Sequence, residues 1–152
     1  MAKFGRYIIA FCLFFCFSIS TVAYASTPQI TSTTEVVYFD DGTYLEIITT
    51  VSTVSTISRG TIKDASKEYL YKTRPGEKLF SYTLFGRFEY NGSTSEATNV
   101  DSSHTIYNSD WNFGSSRESY SGNTVYGSAT FGGPYIKTIG GSISCDKNGH
   151  IS

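Results

Sequence analysis

The chain has 152 residues, with 12 Lys/Arg against 13 Asp/Glu, a formal charge of −1 and 39% apolar residues. Its first 25 residues read as a secretory signal peptide, and setting them aside leaves 127 residues with 10 cations, 13 anions and a charge of −3. So short and weakly acidic a chain makes one domain, and cations scattered from Arg59 to Lys147 exclude a phosphate-neutralising surface for nucleic acid.

In chain order, Met1–Ala25 opens with Lys3 and Arg6, continues as the apolar run Tyr7–Phe17 and closes on Ala23-Tyr24-Ala25 before Ser26. Basic start, apolar stretch and small-residue exit are the marks of a cleaved secretory signal, with an uncleaved anchor as the alternative. Cys12 and Cys16 are bulk in that run. No later segment reaches the roughly 18 apolar residues a spanning helix needs, so no stable membrane span is expected after cleavage. Residues 26–34 (STPQITSTT) are polar and aperiodic and are expected as a flexible leader ahead of a single all-β domain over 35–152.

Beyond the Asp40-Asp41-Gly42 turn, Thr43–Ser58 is a long strand of mixed parity. Leu45, Ile47 and Val51 share one face while Ile48 and Val54 take the other. A register change near Thr49-Thr50, or burial on both faces, would explain this. Its uncharged second half, Val51–Ile57, would be aggregation-prone on a sheet edge. Glu68–Thr73 follows, then the Arg74-Pro75-Gly76-Glu77 turn and the cleanest strand, Lys78–Tyr90. There Phe80, Tyr82, Leu84, Phe88 and Tyr90 fall on one parity, which puts one face in the core and one in water. Gly86 within that row predicts a bulge or a place where an aromatic needs room.

Asn91-Gly92, Asn108-Ser109-Asp110, Ser121-Gly122-Asn123, Gly132-Gly133-Pro134 and Asp146-Lys147-Asn148-Gly149 separate the remaining strands. Those strands are Glu96–Tyr107, Trp111–Ser119, Thr124–Phe131 and Tyr135–Cys145. Each turn supplies a residue tolerant of positive φ or a proline. Closely spaced turns without helical periodicity predict an antiparallel β-sandwich of about eight strands, with an up-and-down β-barrel as the alternative. With 38 Ser/Thr and only 41 apolar residues among the 127, the core must rest on about 17 aromatics. Trp111 is expected to anchor it between sheets.

Residues able to carry chemistry are few, and no catalytic, cofactor-binding or metal-ligating residue is assigned. His104 shares parity with Val100 and Ile106 and reads as a core or rim histidine; His150 is the third-last residue. Cys145 reads as a buried, inert thiol, with an intermolecular disulfide or a reactive thiol as alternatives. A Cys145–His104 pair has no local support, because no oxyanion-loop signature surrounds it. Asp146-Lys-Asn148-Gly149 and Asp40-Asp41-Gly42 resemble fragments of calcium loops without the remaining oxygen ligands, and both read as turns. Asn91-Gly92-Ser93 is formally a glycosylation sequon and reads as a hairpin turn. Gly140-Gly141 lies inside a strand, so it does not indicate phosphate cradling.

Gly86-Arg-Phe-Glu-Tyr90-Asn91-Gly92-Ser93, Tyr107-Asn-Ser-Asp-Trp111 and Ser144-Cys145-Asp146-Lys-Asn148-Gly149, with the Asp41-Gly42-Thr-Tyr44 turn, carry a resemblance. Together they resemble small secreted single-domain β-rich proteins of Gram-positive, clostridial-type bacteria, a group without an assigned activity. The resemblance covers most of residues 35–152 and implies a fold type and a secreted location. It also implies that a cysteine on the strand after Tyr-Asn-Gly pairs with the one before Asp-x-Asn-Gly. Here that strand reads Ser95-Glu96-Ala97-Thr98, so Cys145 would be the remaining half of a lost disulfide.

The expected function is a secreted, non-enzymatic binding or structural module with an extracellular or cell-surface partner and no cofactor. Ten tyrosines in the 127 residues favour binding, since Tyr offers rigid contact area with a polar tip. Among Tyr69, Tyr71 and Tyr126, alternation should turn some outward. A bacteriocin-like or toxin-like factor and a small hydrolase using His104 or Cys145 are the alternatives.

Overall fold

The computed structural model describes residues 28–56 and 60–152, so the expected signal peptide lies outside the described residues. Eight strands follow one another: β1 (Gln29–Tyr38), β2 (Thr43–Thr56), β3 (Gly60–Thr73), β4 (Lys78–Tyr90), β5 (Ser95–Ile106), β6 (Asn112–Ser121), β7 (Thr124–Gly132) and β8 (Lys137–Ser144). β1 to β5 form one antiparallel sheet in sequence order and β6 to β8 a second. The two sheets pack face to face as a sandwich and do not close into a barrel.

The core follows from period-two alternation. On β4, Phe80, Tyr82, Leu84 and Phe88 are fully buried while Phe85, Arg87 and Glu89 are exposed. Val125, Ala129 and Phe131 of β7 and Ile139 and Ile143 of β8 face them. At the centre Phe80 stacks on Phe131 at 4.1 Å, with Trp111 at 4.7 Å and Tyr71 at 4.9 Å. Trp111 is the inter-sheet anchor its sequence position suggested. Aromatic pairs at such separations contribute about 0.5–1.5 kcal/mol each beyond their burial, which offsets the shortage of aliphatic residues.

Three glycines make close packing possible. A Cβ on Gly86 would stand 2.9 Å from both the Phe88 ring and Val125, so this site is the room an aromatic needs. The bulge lies farther along, between Arg87 and Phe88, where Thr98 of β5 is the extra residue. Gly127 and Gly141 stand directly opposite each other on β7 and β8. Side chains there would meet the Tyr82 hydroxyl at 2.3 Å and the Tyr69 hydroxyl at 2.5 Å. The glycine pair is the seat for two tyrosine tips rising from the larger sheet.

Two expectations need correction, and one open alternative is decided. The leader proposed over 26–34 is a strand from Gln29: Ile30, Thr31, Thr33 and Thr34 are competent β-formers, and the strand pairs with β2 along its whole length. All ten residues of β1 are exposed, so no apolar alternation marks it in the sequence. The third strand begins at Gly60 and not at Glu68. Its first half is hidden in the sequence because Lys63 and Lys67 occupy the inward row, where their amines donate to the carbonyl oxygens of Gly149 and Ser142, the second at 2.9 Å. Finally, β2 keeps one register against both neighbours and over Thr43–Thr53 is at least half-buried on both faces, which favours the second reading of its mixed parity. From Tyr44 to Thr53 it is covered by β1, which takes the edge position there.

Candidate binding face

The face of the larger sheet turned away from β6–β8 carries no second layer of strands among the described residues. The register aligns side chains across it in rows. One row runs Ser52, Asp64, Arg87, Asn99 and the next Thr50, Ser66, Phe85, Asp101. Short Ser and Thr on β2 and β3 beside long Phe85 and Arg87 on β4 leave a depression of about 430 Å³ floored by the small pair Ala65 and Gly86. Arg87 donates from Nε and Nη2 to both oxygens of Asp64, at 2.7 and 2.8 Å. This fork fixes both planes and holds the guanidinium still more firmly protonated. The Phe85 ring is 42% exposed beside it. Hydroxyl, carboxylate, amide and guanidinium groups therefore converge around one open aromatic ring.

The tyrosines divide between the two faces, as alternation requires. Tyr69 and Tyr71 share the inward parity of β3 and are both buried, whereas Tyr126 faces outward over the smaller sheet. Exposed Tyr38, Tyr107, Tyr120 and Tyr135 are spread over β1, β6 and the loops. Tyr135 is committed to the fold. Its hydroxyl meets those of Tyr71 at 2.8 Å and Asp41 Oδ2 at 3.3 Å, and its pKa is raised, chiefly by burial.

The remaining candidates are structural. His104 lies exposed on the sandwich rim, stacked face to face on Phe113 at 3.7 Å. Cys145 is fully buried and free; burial raises its thiol pKa, while Ser95 beside it and Lys63 act the other way. The Ser95 hydroxyl has no conventional hydrogen-bond partner and lies against that thiol. His104 stands nine residues along β5 from Ser95, about 30 Å at roughly 3.3 Å per residue, so the structure does not bring His104 and Cys145 together.

Asp41 Oδ1 accepts from the Thr43 amide at 2.9 Å and from its hydroxyl, and these bonds hold its pKa low. Asp146 Oδ1 accepts from the amides of Asn148 and His150 at 2.8 and 2.9 Å. Asn91 Oδ1 accepts from Ser93 and Thr94 amides, both at 2.9 Å, with Gly92 at φ +85°. All three are turns, as read from the sequence. Among the described residues no three His, Cys, Asp or Glu side chains converge as a metal site.

Sequence reasoning missed two groups. The Arg87–Asp64 fork joins residues 23 apart, and only the β3–β4 register pairs them. Glu118 accepts from Ser102 at 2.5 Å and Tyr82 at 3.3 Å, clasping β5 and β4 to β6. No family model, curated protein or solved structure matches the chain.

Proposed function

We propose that the chain is a secreted, non-enzymatic binding module and that the outer face of its larger sheet takes a hydroxyl-rich, uncharged ligand, a sugar chain at the cell surface or outside it. The single observation behind this reading is the Asp64–Arg87 fork beside the exposed Phe85 ring, flanked by Asn99 and Asp101. A pyranose presents a C–H face that packs on an aromatic ring and adjacent hydroxyls that both donate and accept. The depression offers partners for each, and the preformed fork lowers the ordering cost of binding.

The test is binding of residues 26–152 to an array of bacterial and host polysaccharides, followed by calorimetry on any hit. Phe85→Ala and Asp101→Ala should each weaken binding tenfold or more, with Tyr126→Ala unchanged. Failure to bind any polysaccharide, or loss on Tyr126→Ala with Phe85→Ala unaffected, overturns the reading.

A further inference from the structure

β1 is an edge strand of ten residues, all exposed, whose second ladder of N–H and C=O groups has no partner strand among the described residues. Natural edges are blunted by lysine, proline, a bulge or inward charge. β1 contains neither Lys nor Pro, runs without a register shift against β2, and carries one charge, Glu35, on its inward row opposite Ile47. The opposite edge of the same sheet also lacks Lys and Pro but differs in the other respects. β5 holds Glu96 and Asp101, is broken by the Thr98 bulge and packs against β6. One edge of this sheet is broken by a bulge and covered, and the other has a single inward charge as its only guard.

The open edge has a symmetry of its own. Its outer-face row reads Ile30, Ser32, Thr34, Val36, Tyr38, and the first four, apolar–hydroxyl–hydroxyl–apolar, are palindromic about Thr33. Ile30 is 66% and Val36 42% exposed, although both are β-branched apolar residues. We infer that β1 pairs antiparallel with β1 of a second copy about a two-fold axis through Thr33. In that register Ile30 of each copy meets Val36 of the other, and Ser32 meets Thr34. Glu35 meets Thr31, so no like charges stand opposed. Cross-strand β-branched pairs and hydroxyl pairs of this kind are favourable, and the open ladder is completed.

The axis stands perpendicular to the sheet and yields one continuous ten-stranded sheet with both smaller sheets on the same side. The two outer faces then lie side by side, an arrangement in which a repeating ligand gains avidity. The inference does not depend on that ligand, because it rests on the edge alone.

The experiment is analytical ultracentrifugation of residues 26–152 across a hundredfold concentration range, with Thr33→Lys and Thr33→Glu variants. Thr33 is exposed, so both variants should keep the wild-type thermal midpoint and circular dichroism. Wild type should dimerise. Each variant alone should be monomeric, because like charges would meet on the axis, and an equimolar mixture of the two should recover the dimer. A wild type monomeric throughout, or a dimer untouched by Thr33→Lys, overturns the pairing; two monomeric variants that fail to recover on mixing overturn the register.

Discussion

The two halves of the larger sheet obey the same alternation and end differently. Under β6–β8, the centre of the inner rows of β3 and β4 is sealed, with Tyr71, Phe80, Tyr82, Leu84 and Phe88 at zero exposure. On β1 the same inward parity gives Gln29, Thr31, Thr33, Glu35 and Val37, and all are exposed. β2 lies between, with Leu45 buried and Ile47 and Val51 only partly so against the core. Alternation therefore assigns a side chain to a face, but only a second layer turns that face into a core. The wing is held by its hydrogen-bonded ladder and the covered half by packing.

The sharpest way to break this comparison is truncation at the centre. Phe80→Ala should cost about 3–5 kcal/mol in urea unfolding, because it leaves a hole between Phe131, Trp111 and Tyr71. A loss near 1 kcal/mol would mean that the ladders, and not the covered core, carry the stability. Ser95→Cys places a second thiol against Cys145 and should form a disulfide that closes a loop of about fifty residues, worth up to about 4 kcal/mol. Non-reducing mass spectrometry and a midpoint that falls on adding reductant check it; an unchanged thiol count rules it out.

Alkali should act on the covered half first. Burial pushes the Tyr82 hydroxyl up to about 12, and Tyr69 is raised for the same reason. A raised pKa means the folded state keeps the proton longer, so this contribution is whole below the unfolded value near 10 and is lost as the pH climbs from there to about 12. Thermal midpoints should fall over that interval, and Tyr82→Phe should flatten the fall. An equally steep fall in the variant would place the titrating group elsewhere. The smallest effect belongs to the wing: Val37→Ser, at an exposed site, should stay within about 0.5 kcal/mol of wild type. A cost approaching that of Phe80→Ala would show that the wing has a core of its own.

Particular residues show how far the sequence could be read. β4 was legible because an alternating row of large apolar side chains has few other uses, and the Asn91, Asn108 and Asp146 turns were legible because Asx side chains bond their own backbone. β1 was not legible, since hydroxyl residues exposed on both faces carry no periodic signal. The first half of β3 was hidden because its inward lysines find their carbonyl partners 75 and 86 residues away. The candidate face was equally hidden. Asp64, Phe85, Arg87 and Asp101 become neighbours only through two successive strand registers.

The sequence by itself determined an all-β chain of about eight strands, its turns and the side chains of the central strands that face inward, because backbone propensity and period-two patterning are local. Tertiary structure alone decided the split into five and three strands, the glycine pair that seats Tyr69 and Tyr82, the Arg87–Asp64 fork and the open edge at β1. Those depend on register and on what lies across a sheet, and both are set by contacts between residues far apart in the chain.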